Sequence, residues 1–353
     1  MNTTHVPTLV TLWLAAGVLS LGAGCSGQTS RSPAETTRGP RVYVSNEAEG
    51  TITVIDAVGH TRLSSIPVGK RPRGIRVSRD GTLVYVALSG SPVAGPGVDE
   101  STLPPPDRAS DGIGIVDAIQ GKLLRVLKSG TDPEQFVLSN DEKRLFVANE
   151  DAGQISVVDM GNGAVIKTIA VGEEPEGVDL TPDGRFVYVT SEGENQVAVV
   201  DVERLERIAS IQVGARPRST GFLPDGSRAF VSAENDGAVY VLDTSTHKSI
   251  GRIVLGEPRY KPMGIAVAPD GSSVFVSTGR GGDLLRIGVP GHQITGGVAV
   301  GARPWGLAIS DDGKTLFTAN GPSNDVSVID AATMTVKARV PVGDRPWGVA
   351  YSR

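Results

Sequence analysis

A single cysteine in 353 residues, at position 25, excludes a disulfide framework and leaves the rest of the chain without thiol chemistry. Histidine is almost as scarce. Apart from His5, only His60, His247 and His292 occur, too far apart to suggest a clustered histidine metal site. Aromatic residues make up 5% of the chain. Lysine and arginine, 34 against 39 acidic residues, are scattered evenly, so the clustered basic footprint that nucleic acid requires is missing. Neither G-x-S-x-G nor C-x-x-C-H occurs, which argues against a serine nucleophile elbow and against haem attachment. No window carries a helical period. What the chain has in abundance is glycine (45) and proline (23), the punctuation of many turns and therefore of many short strands.

The first 24 residues contain no Lys, Arg, Asp or Glu, and their apolar run ends in small residues just before Cys25, as a secretory signal does. The phrase LGAGC (21–25) resembles the lipobox of bacterial lipoproteins, which implies lipidation at Cys25 and a membrane-anchored protein facing the periplasm or the cell exterior. Residues 25–40, polar and rich in Ser, Thr and Pro, then read as a flexible tether. The expected contact with membrane is through the lipid alone.

From residue 41 one unit recurs. Alternating β-branched strands close at Asp56, Asp117, Asp159, Asp201, Asp243, Gly288 and Asp330, spaced 61, 42, 42, 42, 45 and 42 residues apart. The period is 42, with one insertion of 19 residues and one slip of three. Each period holds four short strands separated by turns such as PDG, where glycine accepts a positive φ. Seven repeats of four antiparallel strands predict an all-β fold: one seven-bladed β-propeller over residues 41–353. Residues 41–69 supply only three strands of a blade, and PWGVAYS (346–352) supplies a fourth without followers. The two ends are expected to pair and close the ring, leaving no open edge.

The phrases VYVSN (42–46), FVAN (146–149), YVTS (188–191) and FTAN (317–320) resemble the YVTN-repeat propellers. RPRG (71–74), EPEG (174–177), NGPSNDVSVID (320–330) and the closing PWGVA are similar, in sequence and in order, to bacterial propellers associated with PQQ-dependent alcohol catabolism. That resemblance implies the fold and a role beside a PQQ-dependent oxidation system.

The links between blades read G-x-x-P-x, so the residue after each proline starts an innermost strand at the mouth of the central channel. Around the ring these are Arg73, Glu134, Glu176, Arg218, Met263, Trp305 and Trp347. Strand ends on the same face add Glu47, Glu150, Glu192 and Glu234, whereas His60, His247 and His292 fall on the opposite face as ordinary loop residues. An exposed mouth lined by Trp, Arg and paired carboxylates has the residue types of a binding hot spot. Alternatively, Arg73 with Glu134 and Arg218 with Glu176 are ion pairs that seal the channel. The insertion SGSPVAGPGVDESTLPPPDRASD (89–111) is either an arm over the mouth or a tolerated surface excursion. The leading expectation is an exported, non-enzymatic protein binding a small molecule or a periplasmic or surface protein, through Arg73, Glu134, Glu150, Glu176, Glu192, Arg218, Trp305 and Trp347. A structural or adhesive propeller comes second. A carboxylate-dependent hydrolase or lyase built on Glu134 and Glu176 comes third. No cofactor is expected, although Glu134, Glu150, Glu176 and Glu192 could form an all-oxygen Ca²⁺ site.

Overall fold

The computed structural model describes residues 39–93 and 102–353, so the expected signal, lipidation at Cys25 and most of the tether lie outside the described residues. The described residues form seven four-stranded antiparallel sheets with strands in sequence order within each, apart from the sheet that joins the two ends. That sheet, blade 1, orders Pro346–Ser352, Arg41–Asn46, Thr51–Asp56 and Thr61–Pro67 from inside outward. Its closing register pairs Tyr43 with Ala350 and Val44 with Val349, which is the expected clasp. Among the described residues no helix is long and apolar enough to cross a membrane.

The repeated phrases have local causes. The aspartate that ends the third strand in six of the blades folds back on the following turn: Asp56 Oδ1 accepts from the N–H groups of Val58 and Gly59, both at 2.9 Å, and Asp201 and Asp330 repeat the pattern. The asparagine that ends the second strand reaches across to the third. Asn46 donates to Thr53 Oγ1, Asn149 to Ser156 Oγ and Asn320 to Ser327 Oγ, each at 2.9 Å.

Second and third strands are buried on both faces because each blade lies between two others, so they read as near-continuous apolar runs. Outermost strands such as Thr61–Pro67 are largely exposed. The core is correspondingly not one mass but seven layers, each between consecutive blades. Ile52 and Val54 of blade 1 pack with Val84 and Val86 of blade 2, and Val44 meets Phe317 and Val328 across the seam to blade 7.

Glycine sets the spacing of the innermost strands. A Cβ on Gly74, Gly177, Gly264, Gly306 or Gly348, the residue two after the link proline in five of the seven blades, would lie 2.3–2.6 Å from a backbone carbonyl oxygen of the next blade. Only glycine permits this approach. The slip in the sixth repeat shortens that blade's inner strand to Ile265–Val267 but leaves Met263 buried in the channel wall.

Candidate active site

Six of the seven links force a residue into the left-handed region immediately before proline: Arg71, Asp132, Glu174, Arg216, Arg303 and Arg345, with φ between 44° and 60°. This conformation is strained for any residue with a Cβ, and proline restricts it further. Side-chain caps offset the strain. Asn195 Oδ1 accepts from Arg216 N–H at 3.0 Å, Asn324 Oδ1 from Arg345 N–H at 2.9 Å, and Asp111 Oδ2 from Asp132 N–H at 3.1 Å. The carbonyls of the strained residues then hold the strand-end glutamates. Glu47 N–H donates to Arg345, Glu150 N–H to Asp132, Glu192 N–H to Glu174 and Glu234 N–H to Arg216, all at 2.9–3.0 Å. One backbone device therefore positions both the ring residue after proline and the carboxylate beside it.

Hydroxyls fix the ring from below. Ser45, Thr190, Ser232 and Ser277 occupy one position of the second strand in four blades. Each accepts from the N–H two residues after a link proline and donates to the carbonyl of the next ring residue, namely Arg73, Arg218, Met263 and Trp305.

The ring residues are buried, not exposed as the sequence suggested: Arg73, Glu134, Glu176, Arg218, Met263 and Trp347 all are, and Trp305 is half-buried. The structure brings the predicted charges together in two clusters. In the first, Arg73 ion-pairs with Glu134 and lies 3.6 Å from Glu150 and 3.7 Å from Glu47. In the second, Arg218 contacts Glu176 at 2.9 Å and Glu234 at 2.8 Å and also ion-pairs with Glu192. Sequence reasoning missed an outer tier of link residues. Arg71 reaches Glu47 at 3.0 Å and Asp132 at 3.5 Å, and Arg216 reaches Glu192 at 2.6 Å. Their place one residue before each link proline was the signal available.

Electrostatics separates two neighbouring carboxyls. Arg218 and Arg73 hold Glu176 below the ordinary carboxylate range despite its burial. Burial and the neighbouring Glu176 charge push Glu192 up to about 8. Glu150 is raised as well, by burial and the charges of Glu176 and Asp132.

The aromatic side of the ring is built differently. Trp305 and Trp347 lie 5.7 Å apart, with Arg73 5.1 Å over Trp347 and Arg303 5.1 Å over Trp305. Trp347 is 6% exposed and its Nε1–H has no partner. Below the ring, a cavity of about 190 Å³ is lined by Glu176, Arg218, Met263, Trp305 and Trp347, and deeper by Arg76 and Asp179. Above it, a groove of about 750 Å³ runs between Asp132, Glu150 and Arg216 and the prolines 104–106 of the insertion. The C-terminal end of the insertion is tied down by Lys70–Asp107 at 2.8 Å and by Arg108 with Asp151, so its described part walls the channel face.

The Ca²⁺ ligand set expected from sequence is divided between the two clusters. The carboxylates that approach one another, within 4.8 Å, are Asp132, Glu134 and Glu150, and each is already engaged by Arg71 or Arg73. On the opposite face His247 is more than a solvated loop residue: its Nδ1 lies 2.7 Å from Tyr188 Oη and its ring meets Phe186 edge-on.

A closed ring of seven four-stranded blades, with a buried Glu–Glu–Arg cluster on a small central cavity, defines a seven-bladed β-propeller with the parts of an acid–base site. The family described as Lactonase, 7-bladed beta-propeller matches residues 127–253 and 172–340, together more than half of the chain, and the chain belongs to that family. Comparison with curated protein sequences finds no match. Among solved structures, hydrazine synthase of Kuenenia stuttgartiensis superposes with TM-score 0.70 at 21% identity, covering 82% of this chain and 92% of that one. A candidate 6-phosphogluconolactonase of Bacteroides fragilis gives 0.72 at 20% identity, covering 91% and 100%. Its counterpart from Bacteroides uniformis gives 0.72 at 18% identity, covering 89% and 99%. At these identities the superpositions carry the fold. The expectation of a non-enzymatic binding or adhesive protein is overturned by the family membership, which points to a hydrolase.

Proposed function

We propose that this protein hydrolyses lactones in the cavity beneath the ring, with Glu176 as the proton-transferring group. The observation that carries the reading is the Glu176–Glu192–Arg218 cluster, two adjacent buried carboxyls whose proton affinities are driven apart. Family membership and the activity named for two of the structural neighbours agree with it. Of the two acids considered from sequence, Glu176 lines the cavity, whereas Glu134 is fully buried against Arg73 and does not.

In this mechanism the ionised Glu176 takes a proton from a water molecule as its oxygen adds to the lactone carbonyl carbon. The oxyanion that forms is stabilised by the Arg218 guanidinium. When the tetrahedral species collapses, the ring C–O bond breaks and the departing alkoxide oxygen takes the proton back from Glu176. Lactone and water become a hydroxy acid, and Glu176 is ionised again. Glu192 is a positioning residue: by holding its proton beside Glu176 it spares that carboxylate a second buried negative charge. The test is base consumption at constant pH with D-glucono-1,5-lactone as a first substrate: Glu176→Gln is expected to lower kcat by ~10²–10⁴-fold. Full activity in that variant would overturn the assignment.

Two sequence readings stand as proposals beside it. The chain is exported and anchored through Cys25, which retention in the membrane fraction of wild type but not of Cys25→Ala would test. Within the family it is also read as a YVTN-repeat member similar to the PQQ-associated propellers, on the strength of its repeat phrases and their order.

A further inference from the structure

The cavity beneath the ring has a second polar level. Four residues after each link proline stand Arg76, Val137, Asp179, Gly221, Ala266, Ala308 and Ala350. The only charged members of that level meet: Arg76 Nη2 lies 3.1 Å from Asp179 Oδ1, joining the inner strands of blades 2 and 4. Both line the cavity and keep part of their surface open, 36% and 25%. Three further lining residues hold buried polar atoms with no partner: Trp347 Nε1, which only donates, Gln135 Oε1, which accepts, and Thr220 Oγ1, which does both. Such orphans are costly in a folded protein, and three of them on one small cavity mark a place where a ligand supplies the missing bonds.

We propose that this cavity takes an uncharged, hydroxyl-rich ring, a single unphosphorylated sugar lactone, with Gln135, Thr220, Trp347 and the Arg76–Asp179 pair reading its hydroxyl groups. The inference rests on the lactonase reading and specifies its substrate class. Hydroxyl groups donate and accept, which matches the mixed orphans. Trp305, Trp347, Leu307 and Val349 offer apolar wall for the C–H faces of a sugar ring. A volume of about 190 Å³ limits the occupant to one small ring. Charge argues against a phosphate. Arg218 is matched by Glu176, Glu192 and Glu234, and Arg76 by Asp179, so a dianion here would face carboxylates with no free cation. Arg303 and Arg280 have no carboxylate partner among the described residues, but neither lines the cavity.

The experiment uses the full chain and three probes: D-glucono-1,5-lactone, its 6-phosphate, and the non-hydrolysable 1,5-anhydro-D-glucitol. The expected result is a kcat/KM at least ~10-fold higher for the unphosphorylated lactone, and calorimetric binding of the cyclic ether. Thr220→Val and Gln135→Met should each raise the Kd of the ether ~5–10-fold, as loss of one hydrogen bond does, with the melting temperature unchanged. Equal rates, or a preference for the 6-phosphate, would overturn the inference while leaving the hydrolase reading intact, and would move the charged end toward Arg280 and Arg303. Binding of the ether without hydrolysis of either lactone would retain the sugar site and sink the hydrolase reading. Absence of both binding and hydrolysis would remove the two together.

Discussion

The two halves of the ring stand on the same backbone repeat and are held by opposite means. From blade 2 to blade 5 the ring residues are Arg73, Glu134, Glu176 and Arg218, and every charge is answered by another. From blade 6 through blade 7 to blade 1 they are Met263, Trp305 and Trp347, and the strand ends that carry glutamate in blades 3, 4 and 5 carry Gly279 and Gly321 in blades 6 and 7. The charged half is cross-linked by ion pairs between blades. The aromatic half leaves an indole N–H unanswered over the cavity. A plug would need neither the asymmetry nor the orphan donor. A site that must hold a proton-transfer group on one side and an apolar ring on the other needs both.

The comparison can be broken most completely where the halves meet. Trp347 lies on the closing strand and Arg73 stacks on it, so deleting residues 346–353 severs aromatic from charged half and opens an edge on Arg41–Asn46. Loss of a single cooperative thermal transition is expected, whereas a sharp unfractionated melt would show that the clasp is dispensable. Next in size is Arg218→Leu, which leaves Glu176 buried without its cation and Glu192 and Glu234 with Arg216 alone. It should cost about 3–5 kcal/mol in urea unfolding, and a change under 1 kcal/mol would mean the cluster is not held by charge.

Glu192 sharpens the contrast. Its proton affinity is higher in the folded protein than in the unfolded chain, so folding takes up a proton. The stabilisation is full below the ordinary carboxylate range and is lost as pH rises toward about 8. Wild type should therefore lose melting temperature between pH 5.5 and 8.5 by more than Glu192→Gln does. Activity should fall above pH 8 in wild type and hold in the variant, since the amide cannot acquire a charge beside Glu176. Identical profiles would remove Glu192 from its positioning role. The smallest effect is expected from Trp347→Phe, which keeps the aromatic wall and deletes only the unpartnered N–H. Stability should change by less than about 1 kcal/mol, while KM for a lactone substrate rises several-fold; an unchanged KM would show that the indole N–H meets no ligand.

The period of 42, the aspartate turns and the split first blade made the architecture legible, because each is local: Asp56 needs only the next three residues, and the clasp needs only a count of strands. The ring positions were legible for the same reason, as the column after proline. Burial of that column was not. Whether Glu192 sits in water or against Glu176 depends on how closely seven inner strands converge, a property of the closed ring and not of any repeat. The Arg76–Asp179 pair spans 103 residues and appears only when the column four after proline is read around the ring, where two charges stand among small residues. A carboxylate-dependent hydrolase ranked only third from the sequence, for a chemical reason. A carboxylate–arginine acid–base site has no short motif comparable to a nucleophile elbow, and its parts look like the ion pairs of an ordinary surface until their shared burial is seen.

The glycines two residues after the link prolines carry a consequence for how such a protein diversifies. Because a methyl group at any of five positions would strike the neighbouring blade's backbone, the bore of the channel is gauged by atoms that are not there. A lineage that needs to accept a different molecule cannot add a side chain at those five positions without displacing the neighbouring blade. It is left to exchange side chains at the two places of that column that already carry Gln135 and Ser219, and in the column before it, where Arg, Glu, Met and Trp coexist on one backbone. The scaffold thus behaves as a fixed socket with interchangeable contacts, and its chemistry can drift while its diameter stays constant.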